Sequence, residues 1–540
     1  MFTKLLRDAK AIRDVFVTRY GRTPLEALLG ARFRGKRLSH PPSAVAPLLA
    51  MEAPLDAVYY AMLGQIVLAL RATGDIKVMQ VVTQALCPGA SRSLRAFLGA
   101  CLHSNFLWRR KWEKLYGEFC DGVGYRAATL HAPWREAVYW WDAWCAWRGL
   151  VCKDGVAALE YRGIAVGDAV IDSYLRLRPS VSLDVRQPYL WVVIRRAFKD
   201  VASAYDYFRE ARPHFYLTFY ATYIEHAVPA RVATSLGIRT LCLGNLQDFC
   251  GELTPDHLRQ TRRVDDYRTA FDAIPDRATK LAAADAAFHH RTSGGTDAAT
   301  AYMRSSAYAI KTTEVPDVRG AAIIFLHDFY DSVHIYRWSI FHDFWEWACV
   351  TIENLQDSGR PFFIKPHPNQ RAQSNAELAA LKARYPQAKF LSSDISNRQL
   401  ADAGMGCAVT VFGTVAAEMA YLGVPPISCG DNPHVGFEAF KLARSREEYR
   451  QLLADFPTFP RQPEKLKEQA CIFYYMHNLN LDPADSEIRD KFTNTFFYLN
   501  ALHTAGALNA AEIGQALDDF TACPGFVRFA HTLVTDRDRP

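Results

Sequence analysis

At 540 residues, half of them hydrophobic and 13% aromatic, the chain is too long for one ordinary core and should build two or three domains. Its net charge of +6 does not single out nucleic acid as a partner, and no finger, RNP or helix-turn-helix pattern is present. No stretch reaches the ~18 uncharged apolar residues of a spanning helix, the start Met1-Phe2-Thr3-Lys4 lacks the apolar core of a secretory signal, and the twelve cysteines show no C-x-x-C spacing, so a cytoplasmic chain with free thiols and no metal site is expected.

From Phe2 to Arg22 apolar residues recur at helical spacing among Lys4, Arg7, Lys10, Arg13, Arg19 and Arg22. Such a basic amphipathic helix suits either the anionic inner-membrane surface, as a peripheral anchor, or a docked position on its own protein. After the prolines at 41, 42 and 47, Ala57–Ala61 reads as a strand, Gly64 as a turn, Ile66–Ala72 as a helix and Ile76–Val82 as a parallel strand, a βαβ unit. The Trp-rich stretch Ser91–Trp147 reads as a helical insert whose aromatics pack inward. Strands Phe215–Tyr220 and Thr240–Leu243, with a helix over Ile224–Leu236, complete a first Rossmann-like domain.

The polar segment Asp285–Thr313 reads as a linker. A second α/β domain follows, with strands at Ala321–Leu326, Phe362–Lys365, Ala408–Val411 and Pro426–Cys429. Its helices are expected at Phe344–Leu355, Ala376–Arg384 and Val415–Leu422. The expected division is a basic extension over 1–48, a first Rossmann-like domain with a helical insert over 49–300, a second Rossmann-like domain over 301–440 and a helical tail over 441–540.

Two strand tips in the second domain carry chemistry. Phe362-Phe363-Ile364 stops at Lys365, then at His367 pinned between Pro366 and Pro368, which restrict the backbone and hold the imidazole in a stiff loop. An apolar run ending at Gly413-Thr414 opens a helix whose first N–H groups are free for an anion. Position 417 is alanine, so no capping box forms; the acid is Glu418, a lone carboxylate on an apolar helix that ribose hydroxyls would satisfy. Cations, fixed donors and a helix start at the carboxyl ends of parallel strands suit a nucleotide phosphate, provided that the His367 loop and the Gly413-Thr414 turn face one pocket. Ser392 and Ser393, at another strand end, are further candidates for contact with base or phosphate. The run His327 to His334 holds Asp328 and Asp331, either of which can act as nucleophile or base. On the amino-terminal side Gly64, Tyr220, Tyr223, Glu225 and His226 are candidate acceptor contacts. Asp536-Arg537-Asp538 is read as a solvated tail rather than a metal motif.

Three segments, Phe325 to His334, Lys365-Pro366-His367-Pro368, and Gly413-Thr414 with Glu418, Gly423 and Pro425, resemble the carboxyl-terminal half of bacterial capsule and lipopolysaccharide glycosyltransferases. Tyr161-Arg162-Gly163-Ile164 with Gly167-Asp168, and Tyr220 with Tyr223, are similar to their amino-terminal half. Within that group the likeness is nearest to the β-Kdo transferases and covers about 155 to 440. The resemblance implies an α/β GT-B fold, two Rossmann-like domains facing across a cleft, with helical extensions at both ends. It implies a nucleotide-sugar donor, CMP-Kdo, used without cofactor or metal, and an oligosaccharide or lipid-linked glycan acceptor. It also implies a nucleotide phosphate on the His-Pro pair and a carboxylate nucleophile, Asp331 before Asp328. UDP- or GDP-sugar transfer, sugar-nucleotide epimerisation, teichoic-acid-like phosphotransfer and a non-catalytic scaffold are the alternatives.

Overall fold

The computed structural model describes residues 21–36, 42–83, 108–126, 131–177, 180–262, 266–295, 297, 306–309, 312, 314–368, 370, 374–506 and 508–535. The basic segment up to Tyr20 and the Asp536–Asp538 tail lie outside them.

Short apolar runs ended by turn residues form strands, and the chain returns each strand parallel to its neighbour through a helix. The first sheet consists of β1 (Leu48–Glu52), β2 (Lys77–Val82), β3 (Gly122–Arg126), β4 (Phe215–Thr218), β5 (Arg239–Leu243) and β6 (Cys250–Leu253), in the order β3-β2-β1-β4-β5-β6. Only β6 runs antiparallel, against β5. The second sheet consists of β7 (Ala322–Phe325), β8 (Phe362–Lys365), β9 (Lys389–Phe390), β10 (Cys407–Val409), β11 (Pro426–Ser428) and β12 (Lys441–Leu442), in the order β9-β8-β7-β10-β11-β12, all parallel. Both sheets thus have the Rossmann strand order, with a reversal beside their first strand where ligands bind. The chain has the two Rossmann-like α/β domains of which a GT-B fold is composed.

The described residues of Met1–Arg178, Val185–Gln260 and Pro483–Pro540 form unit 1, and those of Pro179–Asp184 and Thr261–Asp482 form unit 2. The division therefore falls at 260/261 instead of 300/301. The expected tail is split, with 441–482 in unit 2 and 483–535 in unit 1. The short segment 180–184 is tied into unit 2 by Asp343, which accepts from Ser182 Oγ at 3.0 Å and Leu183 N at 3.2 Å.

In unit 1 the expected strand at Ala57–Ala61 is the start of one helix, Ala57–Thr73, capped by Asp56, whose carboxylate accepts from Val58 N and Tyr59 N. The run is apolar on every side, because the helix is buried on every side. Leu25, Leu29 and Phe33 of helix Pro24–Gly35 cover it, as do Ile513, Leu517, Phe520, Phe526 and Leu533 of the last helices. Gly64 lies mid-helix against the Phe33 ring; a Cβ there would come within 2.3 Å of it. Gly64 is a packing glycine, and the acceptor role expected of it is withdrawn.

Described residues of the Trp-rich insert form two helices, Trp108–Tyr116 and Pro133–Gly149, with β3 between them. Trp140 and Trp147 pack on Trp191 as expected, but Trp134 and Trp141 face outward, 68% and 66% exposed.

Candidate functional site

The parallel register aligns Lys365 with Phe325 and Val409 with Ile324, so the chain leaves β7, β8 and β10 at one edge of the second sheet. The loops that follow enclose a cavity of about 220 Å³. Lys365, Pro366, His367 and Pro368 line it from β8, His327 and Asp331 from β7, and Thr410, Phe412, Gly413, Thr414 and Glu418 from β10 and the helix Val415–Tyr421. The His367 loop and the Gly413-Thr414 turn share one pocket.

His327 shapes that pocket. Its ring stacks on Phe344 at 4.4 Å and lies against Trp347 and Phe412. Nε2 accepts from the Val411 amide at 3.3 Å and faces the Thr410 hydroxyl at 3.0 Å, while Thr410 Oγ1 accepts from Gly413 N at 3.2 Å. Burial, with a smaller contribution from His367, pushes the imidazole down to about 3. A neutral ring with Nε2 as acceptor must carry its proton on Nδ1. His327 is therefore a brace that fixes the Thr410–Gly413 turn.

His367 is also held below its ordinary value, by burial first; Asp328 and Asp331 pull it upward and Lys365 pushes it down. At neutral pH it offers an N–H donor without adding a full charge. Lys365 is 1% exposed and reaches the cavity from the last residue of β8.

The two candidate carboxylates separate. Asp328 is buried off the cavity wall, with Oδ1 accepting from Tyr330 N at 3.0 Å and Ser374 Oγ at 3.0 Å. It holds its own turn, which removes it as second choice for the nucleophile. Asp331 is exposed on the cavity wall, with Oδ1 accepting from Ser332 N at 3.0 Å. His334 is buried and off the wall.

Glu418 differs from its reading as a lone carboxylate. It is buried, but Tyr308 donates to Oε2 at 2.7 Å and Arg291 Nη1 lies 3.4 Å from Oε1. Arg291 is itself held at 2.6 Å by Asp297. Burial works against the guanidinium's charge, but Asp297, Tyr474 and Glu418 outweigh it and raise its pKa. No ribose is needed to satisfy Glu418, although it stays on the wall together with Arg291 and Tyr308. Those two residues were missed because they sit in the polar stretch read as a linker. Thr414 makes no side-chain capping bond and is exposed. Ser392 and Ser393 lie in an exposed turn off the cavity, where Ser392 Oγ accepts from Asp394 N; neither is brought to the site.

The remaining candidates belong to unit 1. Tyr220 receives a hydrogen bond from Tyr59 at 2.8 Å and lies 5.2 Å from the His226 ring. Tyr223 opens its helix in a left-handed conformation, φ +59°, and accepts from Arg176 at 2.7 Å. Such a backbone costs on the order of 1–3 kcal/mol and tends to mark functional positions. Glu225 has a buried Oε2 with no hydrogen-bond partner among the described residues. His226 Nδ1 is bonded to Glu52, a partner not foreseen. Asp168, in the segment resembling the amino-terminal half, grips Arg231 through two bonds of 2.7 and 2.6 Å and also pairs with Arg259.

No protein family matches the chain, and no curated protein does. Solved structures similar to it include the UDP-GlcNAc 2-epimerase of Neisseria meningitidis bound to UDP-GlcNAc, 10% identical over 84% of this chain and 99% of that one, with a TM-score of 0.24. The glycosyltransferase of kitacinnamycin is 11% identical over 82% and 98%, TM-score 0.25. S. aureus MnaA with UDP is 8% identical over 84% and 97%, TM-score 0.25. At such values they fix no residue-by-residue correspondence. No helix among the described residues is long and apolar enough to cross a membrane.

Proposed function

We propose that the chain is a metal-independent glycosyltransferase that moves a sugar from a nucleotide-activated donor, CMP-Kdo in the first instance, to a growing bacterial surface polysaccharide or lipid-linked glycan. One observation carries the reading. Three strand-end loops far apart in sequence bring a lysine, a proline-braced imidazole, a Gly-Thr turn and an exposed carboxylate to one cavity. Lys365, His367 and the Gly413-Thr414 backbone take the phosphate, where negative charge grows as the glycosidic bond breaks. Asp331 attacks the anomeric carbon; the bond to the phosphate oxygen breaks with its pair going to the nucleotide, and an acceptor hydroxyl later displaces Asp331 with overall retention. The choice of CMP-Kdo rests on the resemblance of the His-Pro and Gly-Thr segments.

Thermal-shift measurements with CMP, CDP, UDP and GDP test the assignment. CMP is expected to give the largest shift, and His367→Ala to abolish it. A response confined to UDP or GDP would replace the donor, and an unchanged shift in His367→Ala would remove the phosphate from this loop. Asp331→Asn should keep the CMP shift and lower transfer by at least ~10³-fold, in line with the loss of a nucleophile; sugar transfer at the normal rate would exclude Asp331.

A further inference from the structure

The carboxyl edge of the first sheet holds a second built cluster. Glu52, the last residue of β1, is fully buried. Thr83, just beyond β2, donates to its Oε1 at 3.1 Å, and Thr218, the last residue of β4, donates to Oε2. Oε1 also accepts a hydrogen bond from Nδ1–H of His226, in the first turns of helix Tyr223–Ser235. Three strand ends and one helix thus converge on a single carboxylate, and every bond it makes fixes the imidazole in one orientation.

The outer side of that ring is different. The His226 side chain keeps 16% of its surface exposed, and among the described residues Nε2 has no hydrogen-bond partner. Because Nδ1–H donates a hydrogen bond to Glu52, the neutral ring presents a lone pair at Nε2. The charged groups facing the ring are Glu52 from β1, Glu225 from its own helix and Arg176 from helix Gly167–Leu177, with the Tyr220 ring at 5.2 Å. Burial lowers the proton affinity of His226, but Glu52, with Glu225 adding to it, more than offsets this, and the net shift is upward; Arg176 acts the other way.

We propose that Glu52 and His226 form a proton-accepting station for a hydroxyl of a sugar or similar polyol, with Nε2 as the atom that takes the proton. The proposal rests on the transferase reading in that this hydroxyl belongs to the acceptor. The O–H bond breaks, an Nε2–H bond forms, and the oxygen keeps the electron pair for the bond it makes next. The imidazolium is balanced by Glu52, which keeps its own charge and acts as a positioning residue. Thr83 and Thr218 stop Glu52 from turning away.

Diethyl pyrocarbonate, which acylates an accessible neutral imidazole, tests the base on the full chain, with peptide mapping by mass spectrometry. His226 should be modified in the folded protein, and Glu52→Gln should move the pH midpoint of its modification downward. A His226 that resists the reagent, or a midpoint unmoved in Glu52→Gln, overturns the proposal. With CMP-Kdo as donor, His226→Gln should lower sugar transfer by about 10²–10⁴-fold and remove the acid limb of the pH–rate profile while keeping the CMP shift. Unchanged transfer and pH profile also overturn it. Absence of any nucleotide shift in the wild type would instead defeat the transferase reading, and the reagent result would still decide the base.

Discussion

His327 shows how a residue type common in catalysis is used here for shape. Unfolded, its imidazole takes a proton near pH 6.5; folded, burial pushes it down to about 3. Between those values the unfolded chain binds more protons than the folded one, so stability falls as pH drops. The slope from this one group is at most about 1.4 kcal/mol per pH unit. His327→Gln retains an acceptor for the Val411 amide and cannot titrate. Urea unfolding at pH 7, 6 and 5 should show a smaller loss in the variant than in the wild type, whereas parallel losses would mean that the ring is not held neutral. Glu418 gives the complementary lesson. The expectation that a buried carboxylate must be satisfied was sound physics, but the partners are Tyr308 and Arg291 from the protein itself.

Among the elements, helix Phe344–Asp357 has a cap with two tasks. Asp343 Oδ1 accepts from Glu346 N at 2.7 Å, while Oδ2 holds Ser182 and Leu183 of the crossing segment. Asp343→Ala loses a cap worth about 0.5–2 kcal/mol and leaves the buried Leu183 amide unpaired at a further cost of about 1–3 kcal/mol. The variant should be destabilised by roughly 1.5–5 kcal/mol in urea and become sensitive to protease within 180–184; unchanged cleavage there would show that the segment is held by other means. The second sheet was legible in the sequence because its longer strands are short apolar runs that stop at Lys365, end shortly before Gly413 or start after Pro425, with helices between them. β1 was not. Leu48–Glu52 follows a proline and leads within a few residues into a helix with hardly a polar side chain, so no period separated strand from helix. Asp56, with its capping bonds to Val58 and Tyr59, was the local signal for that helix. Missing β1 meant missing Glu52, and with it the partner of His226. Arg291 and Tyr308 escaped for the opposite reason: their stretch is polar, and the contacts that bring both to the cavity wall are to Glu418, too distant in sequence to be read locally.

At the scale of the whole chain, one strand order is used twice, and each sheet gathers ionisable groups at its carboxyl edge: Glu52 and His226 in unit 1, Lys365, His367 and Asp331 in unit 2. Among the described residues, the cavity proposed for the nucleotide is lined only by residues of unit 2, whereas the last helices, Pro483–Thr535, complete the core of unit 1 around helix Ala57–Thr73. Linkage then assigns the effect of ligand to one unit. A nucleotide at 100 times its Kd stabilises the unit that binds it by about 2.7 kcal/mol and leaves the other unchanged. For a unit of this size that is roughly 5–10 °C in Tm. Calorimetry of the full chain should therefore resolve a transition that moves with CMP and one that does not. Phe520→Ala, which strips a ring from the core of unit 1, should lower only the second transition, by an amount equivalent to about 3–5 kcal/mol. If CMP moved the transition that Phe520→Ala lowers, the nucleotide would belong to unit 1, and the His367 loop would lose its assigned ligand.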